Sequence, residues 1–279
     1  MLGQTEHLTP ASEGWIEIRE CAAIDEFEAC VRLQREVFGG PDIDISPRKY
    51  LIMSRRAGGW TLGAFKGTEL VGFVHLIVGV RDRRAGRQII GYSHMMAVGA
   101  AYQNRGLGAR LKWAQRERAL LEGMGFITWT WDPMRARNAH FNLNRLGATV
   151  RSYGINFYGS EDPAGGGLAA PGGGAIDSDR LFADWELNSA RVVELARGGG
   201  GGGKGGGEPS FEPDAPPART IEIPPRWSAL LAADGLAARR EQLRVREEFL
   251  SAFDSGLVCA GFERDAEHPR YLLYEGQTR

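Results

Sequence analysis

Residues Gln103-Asn104-Arg105-Gly106-Leu107-Gly108 set two glycines one residue apart, with an arginine before them and a helix-forming run after them. The chemistry open to such a stretch is anion binding. A helix start carries unbonded N–H groups and a partial positive charge, and missing side chains let a phosphate reach those amides. Arg105 and Arg110 add charge nearby. The two commonest phosphate motifs do not fit. A P-loop needs a Lys after its last Gly, and a dinucleotide fingerprint needs a third Gly where Leu111 stands. Two readings stay open: a diphosphate cradle, or a tight turn whose glycines relieve backbone strain.

The remaining reactive residues are scattered. Three cysteines (Cys21, Cys30, Cys259) form no CxxC pair, and the five histidines lie far apart, so no metal site and no disulfide framework is expected. His75 lies within a strand and reads as structural. His140 lies on a predicted helix. Trp129 and Trp131 share one face of a strand and serve either core packing or an acceptor pocket.

The elements that must position the glycines read as an alternation. Ile24–Gly39 has helical apolar spacing and a glycine stop. Trp60–Val80 is a hairpin turning at Lys66-Gly67-Thr68-Glu69, and Arg87–Val98 is a further strand. A helix follows from about Gly106, with Leu107, Leu111, Ala114 and Leu121 on one face. Phe126–Trp131 is a strand, Arg137–Gly147 a helix, and Thr149–Gly159 a strand. Beyond these come a strand and helix within 176–196, then a strand, a long helix striped by Leu236, Leu243, Leu250 and Phe253, and two last strands. The fold class is α/β of the α+β kind, a mixed sheet with helices on its faces.

Two Gly- and Pro-rich segments divide the 279 residues. The expected organisation is a floppy N-terminus (1–14), a body (15–160), a linker (161–175), a short strand-helix block docking on the body (176–196), a second linker (197–219) and a C-terminal α+β extension (220–279). A net charge of -1 and the lack of a basic run argue against nucleic acid as partner. With no apolar run near 18 residues and no apolar leader, the expectation is a cytoplasmic protein without membrane contact.

QxxGxG after a strand ending in Ala97-Val98, leading into an amphipathic helix, resembles the acyl-CoA signature of the GNAT-superfamily N-acetyltransferases. Gln103, Gly106 and Gly108 match its marked positions. The resemblance runs through Arg19–Gly159, about half the chain, and includes the order of elements. The stretch from Trp129 to Ala148 is further similar to an uncharacterised bacterial branch. The resemblance implies a mostly antiparallel sheet and an acyl-CoA co-substrate, acetyl-CoA by default. It also implies a small-molecule or peptide amine as acceptor, attacking the thioester directly. By the same resemblance, Met96, Ala97 and Val98 border the pantothenate arm. Gln103, Asn104 and the amides of Arg105, Gly106, Leu107, Gly108 and Ala109 hold the pyrophosphate, and Asn138 contacts the co-substrate or caps its helix.

An amine acceptor needs a general base. His94 is the first candidate: the two-residue strand period puts it on the face of Met96 and Val98, and its pKa suits proton transfer. The alternative is a hydrogen-bonded strand histidine. Asp132 is the second candidate, though Asp-Pro also opens turns. The tyrosine that many family members use as an acid toward the thiolate aligns with Leu143. Tyr153 and Tyr158 are the substitutes at hand. A non-catalytic acyl-CoA-binding or regulatory protein on the same fold is the competing reading.

Overall fold

A computed structural model describes residues 15–39, 42–83, 86–159, 176–199 and 216–276. The expected floppy N-terminus, the first linker and most of the second lie outside the described residues. The elements are β1 (Ile16–Glu20), α1 (Ile24–Phe38), α2 (Arg48–Arg56), β2 (Trp60–Lys66), β3 (Glu69–Arg83), β4 (Gly86–Val98), α3 (Leu107–Leu121), β5 (Phe126–Trp131), α4 (Ala136–His140) and β6 (Thr149–Gly154). They continue with β7 (Arg180–Glu186), α5 (Ala190–Gly199), β8 (Arg219–Glu222), α6 (Trp227–Ala233), α7 (Gly235–Asp254), β9 (Leu257–Glu263) and β10 (Arg270–Glu275).

The strands form one ten-stranded sheet in the order β1-β2-β3-β4-β5-β7-β6-β9-β10-β8. Every neighbour is antiparallel except β4 with β5, which pair in parallel only at Gly91↔Ile127 and Tyr92↔Thr128. Beyond Tyr92 and Thr128 these two strands have no shared ladder. That break at the centre of a continuous sheet is where a ligand can enter between strands.

Two apolar layers cover the sheet. The larger gathers α3, α4, α5, α6 and α7 with residues such as Leu62, Val74, Trp129, Trp185 and Tyr271. The smaller packs α1 and α2 on the other face, with Phe27, Cys30, Leu33 and Leu51 against Phe65, Phe73 and Ala97. Burying a side chain such as Phe27 or Leu51 contributes about 1.5–3 kcal/mol.

Several local expectations shift. β1 was not expected; its Ile16 and Ile18 pack on the larger layer while the alternate residues face away. The stretch Arg48–Arg56 is helix α2, with only Leu51 buried. Leu121 is exposed, so the buried face of α3 turns instead through Leu107, Leu111, Lys112, Gln115 and Ala119. On α7 the buried stripe is Ala238, Gln242, Val245, Phe249 and Ala252, and Leu236 is exposed. Gln242 takes a buried place because its amide spans both main-chain groups of Asp177.

The larger surprise is topological. β7, from the 176–196 block, is inserted between β5 and β6 rather than laid on a finished body. β9 then joins β6 at Val150↔Cys259, so the C-terminal extension continues the same sheet.

Candidate active site

A sharp turn and an uncapped helix start form where the glycines stand. Asn104 and Gly106 adopt left-handed backbone (φ 59° and 78°), which turns the chain sharply into α3. Gly106 is the residue before the helix, and no side chain caps it. The first bond back into the helix is Arg110 N–H to Gly106 O. The N–H groups of Leu107, Gly108 and Ala109 therefore have no protein acceptor among the described residues, and they border a cleft of about 620 Å³. Gln103 braces this turn: its Nε2 donates to Val98 O at 2.9 Å, tying the end of β4 to the start of α3.

The cleft wall includes Met96 and Val98 from β4, then Gln103, Asn104, Gly106, Leu107, Gly108 and Ala109. Asn138 lines the opposite side, with Arg137, His140 and Phe141. Asn138 is not a cap, because α4 starts two residues earlier with no side-chain cap. Three expected contributors lie elsewhere. Ala97 is buried in the layer under α1, on the far side of β4. Arg105 is exposed and is not among the lining residues. Arg110 turns away to donate to Ile16 O at 2.7 Å, so it fastens α3 to β1.

Gly108 tests whether the cleft suits a diphosphate. Its φ is not left-handed, and an added Cβ would meet only Met96 Cε at 3.5 Å, an ordinary contact. Neither conformation nor protein packing calls for glycine there. The bare backbone beside three free amides is instead what close approach of an anion requires.

His94 departs from its expected face. The β3–β4 register shifts between His75 and Leu76, so that His75 pairs with Met95 and Leu76 with Ser93, leaving His94 as the extra residue of a bulge. The bulge breaks the two-residue period. Met96 and Val98 point to the cleft under α3, whereas His94 points to the α2 side. There His94 Nε2 lies 3.2 Å from Ser46 Oγ, and its ring meets those of Tyr50 and His75 edge-on at 5.4 and 6.1 Å. Burial lowers the His94 pKa, so the ring is neutral near pH 7. His75 is structural: its nitrogens lie 2.8 Å from Thr61 Oγ1 and 3.0 Å from Ser54 Oγ. Burial first, then His94, push its pKa to about 4.

Asp132 serves its turn. One carboxylate oxygen accepts from Met134 N–H at 2.8 Å and the other from Arg135 Nε at 3.2 Å. Trp129 and Trp131 are core residues whose N–H groups donate to Asn142 Oδ1 and Tyr271 OH. Tyr153 donates to Asp179 beneath α7, away from the strand split. Leu143 is fully buried. Residues Phe141–Arg145 form one turn of π-helix after α4. The wider turn shifts the register, and Phe141, not residue 143, faces the cleft. Neither residue carries a hydroxyl.

Two groups at the split escaped sequence reading. Tyr92 is the last β4 residue paired with β5, and its hydroxyl lies 3.3 Å from that of Tyr158, which in turn lies 3.1 Å from Thr130 Oγ1. Tyr158 follows β6, so only the fold brings these three together. Under the split, Lys112 is buried. Its Nζ donates to Ser93 Oγ (2.7 Å) and Gln115 Oε1 (3.0 Å) and lies 3.8 Å from the centre of the Trp129 ring. Burial pushes its pKa well down. The unfolded chain would then carry one more proton, and stability rises with pH below the ordinary lysine value of 10.5. Against Lys112→Met, wild type should therefore gain stability as pH rises toward 10.5, by up to about 1.4 kcal/mol per pH unit, in urea melts. Parallel stability curves would show that the amine stays protonated in the fold.

Among the described residues no group of three or more His, Cys, Asp or Glu is gathered to hold a metal. No helix among them is long and apolar enough to cross a membrane.

A mostly antiparallel sheet split at one parallel pair, with an uncapped Gly-rich helix start opening on the split, defines an α/β protein built around a cleft bordered by free backbone amides. Residues 27–147 match the acetyltransferase (GNAT) family. No curated protein matches the chain. Similar solved structures include the ribosomal-protein-S18-alanine N-acetyltransferase of Escherichia coli, at 13% identity over 63% of this chain and 96% of that one, TM-score 0.48. Another is a GNAT acetyltransferase of Elizabethkingia anophelis with acetyl-CoA bound, at 14% identity over 61% and 97%, TM-score 0.43. A third is Arabidopsis thaliana Naa50 with a bisubstrate analogue, at 13% identity over 61% and 97%, TM-score 0.45.

Proposed function

We propose that this protein transfers an acyl group, acetyl by default, from a CoA thioester to the amine of a small molecule or peptide. The observation that carries the reading is the uncapped start of α3, with its three free amides and bare Gly108, opening on the cleft at the strand split. Leu107, Gly108 and Ala109 would hold the pyrophosphate through their N–H groups. Met96 and Val98 would border the pantothenate arm as it runs toward the split, and a strand-end N–H there would stabilise the developing charge on the thioester oxygen. CoA supplies the activated acyl group, and the amine attacks it directly.

His94, neutral at the bulge and facing the α2 side, takes the proton from the incoming ammonium. Ser46 orients its ring. His94→Ala is expected to lower kcat by about 100-fold while CoA affinity stays within about twofold. Wild-type activity should persist below pH 6.5 and fall as acid protonates this histidine. A variant turning over at the wild-type rate would return His94 to a structural role.

A second reading has a specific observation behind it. Leu143 is buried and Phe141 holds the cleft position, so α4 offers no hydroxyl to the departing thiolate. A protein that binds acyl-CoA without turnover would look the same. Free-thiol release from acetyl-CoA across a panel of amines separates the two. Thiol release supports transfer, CoA binding without release supports the second reading, and absence of CoA binding defeats both.

A further inference from the structure

The cleft has a wall that the GNAT-matching stretch does not supply. Arg264 lines it, and Arg264 belongs to the C-terminal extension, just past the end of β9. It converges there with Arg137, His140 and Arg145 of the α4 region. A buried contact fixes this meeting. Asn144, in the π-turn, accepts the Phe262 N–H at 2.9 Å, two residues before Arg264. The π-turn and the end of β9 are thus locked together, and the side chains on either side of that lock face the same cleft.

The acids beside Arg264 are engaged by other groups. Glu263 is paired with Arg270 at 2.6 Å. Asp265 accepts the N–H groups of Glu267 and His268 at 2.8 and 2.9 Å, which also shapes the loop that carries Arg264. Among the described residues neither Arg264 nor Arg137 forms an ion pair. Arg264 and Arg137, on a cleft whose described lining holds no carboxylate, suit a multiply charged oxyanion such as a phosphate.

We infer that Arg264, with Arg137, binds the 3′-phosphate monoester at the nucleotide end of the CoA co-substrate, so that the C-terminal extension is part of the co-substrate site. This rests on the acyl-CoA reading above. The helix start would take the pyrophosphate, and the arginine cluster the remaining phosphate, across one cleft. Loss of His140 charge by burial, with Arg264 and Arg145 adding to it, fits the same positive surroundings.

Calorimetric titration of wild type, Arg264→Ala and Arg264→Glu with CoA and with dephospho-CoA tests this directly. Arg264 is exposed, so both variants should fold as wild type does, which thermal melts would check. Wild type is expected to bind CoA at least about tenfold more tightly than dephospho-CoA. Arg264→Ala should lose most of that preference, and Arg264→Glu all of it, with dephospho-CoA affinity nearly unchanged. A wild-type preference kept in both variants would overturn the inference and leave the acyl-CoA reading standing. Equal weakening toward both ligands would also overturn it, because Arg264 would then shape the cleft rather than read the phosphate. If wild type binds neither ligand, the acyl-CoA reading itself fails and the inference with it.

Discussion

Gly108→Glu is expected to weaken CoA binding by at least about 100-fold, a loss of about 2.7 kcal/mol, while leaving the fold intact. The two halves of this expectation come from one position. Gly108 lies in the first turn of α3 with ordinary helical backbone, so a side chain costs no strain, and the nearest atom to an added Cβ is Met96 Cε at 3.5 Å. The open side is the cleft. A carboxylate there would stand against the free amides of Leu107, Gly108 and Ala109 and would take the place meant for a phosphate. Gly108→Ala gives the graded version: melting temperature unchanged or raised, since Ala exceeds Gly in a helix by about 0.8–1 kcal/mol, with CoA affinity lowered. Gly106 is the poorer probe. Its φ of 78° makes any side chain costly, by about 1–2 kcal/mol, so lost binding could follow from lost structure. Calorimetry with CoA, beside thermal melts of the same samples, measures both halves. A Gly108→Glu protein that keeps wild-type affinity would move the anion site away from α3.

The turn and the uncapped helix start were legible in the sequence because everything that makes them is local. A strand, a turn with glycines at set places and a helix follow one another within about twenty residues, and Gln103 reaches only five residues back to Val98. The side of β4 that His94 faces was not legible, for the opposite reason. Counting along β4 alone gives strict alternation, but the bulge is a property of the β3–β4 pair and puts an extra residue at 94. The place of Phe141 was hidden in the same way. Spacing back from Gly147 assumes a regular helix, and the π-turn moves the cleft-facing side chain. That turn is held by Asn142 and Asn144, whose partners Trp129 and Phe262 come from other parts of the sheet. Composition set the block around β7 apart from its flanks. It had no means to show that β7 would enter the sheet between β5 and β6, which only strand pairing decides. Lys112 was unreadable for a similar reason: on a helical wheel it is a solvated charge, and only the Trp129 ring and the Ser93 and Gln115 oxygens make its burial tolerable.

Arg246→Met is expected to destabilise the protein by about 3–5 kcal/mol. Arg246 projects from α7 onto the chain that leads into β7. Its Nε and Nη2 donate to the two Asp179 oxygens at 2.8 Å each, and Nη2 also donates to Asp177 at 2.6 Å. The Asp179 side chain is only 1% exposed, and those of Arg246 and Asp177 are 12%. Asp179 also takes the Tyr153 hydroxyl at 2.7 Å and the Asn156 N–H at 2.9 Å, so one carboxylate gathers α7, β6 and the start of β7. Removing the guanidinium leaves that carboxylate charged and out of water. Asp177 is less dependent, since Arg239 Nη1 stays 2.8 Å from it. For a chain of this size the loss corresponds to a fall in melting temperature of roughly 6–20 °C. Adding Asp179→Asn to Arg246→Met should restore part of the stability, because the two changes act on one interaction and their effects do not add. A single-variant loss below about 1 kcal/mol, or strict additivity in the double variant, would mean that water reaches the carboxylate and that apolar packing alone holds α7 to the sheet. The same melts should show the C-terminal extension unfolding with the body, since β9 is bonded to β6 and α7 is pinned to the entry of a strand between β5 and β6.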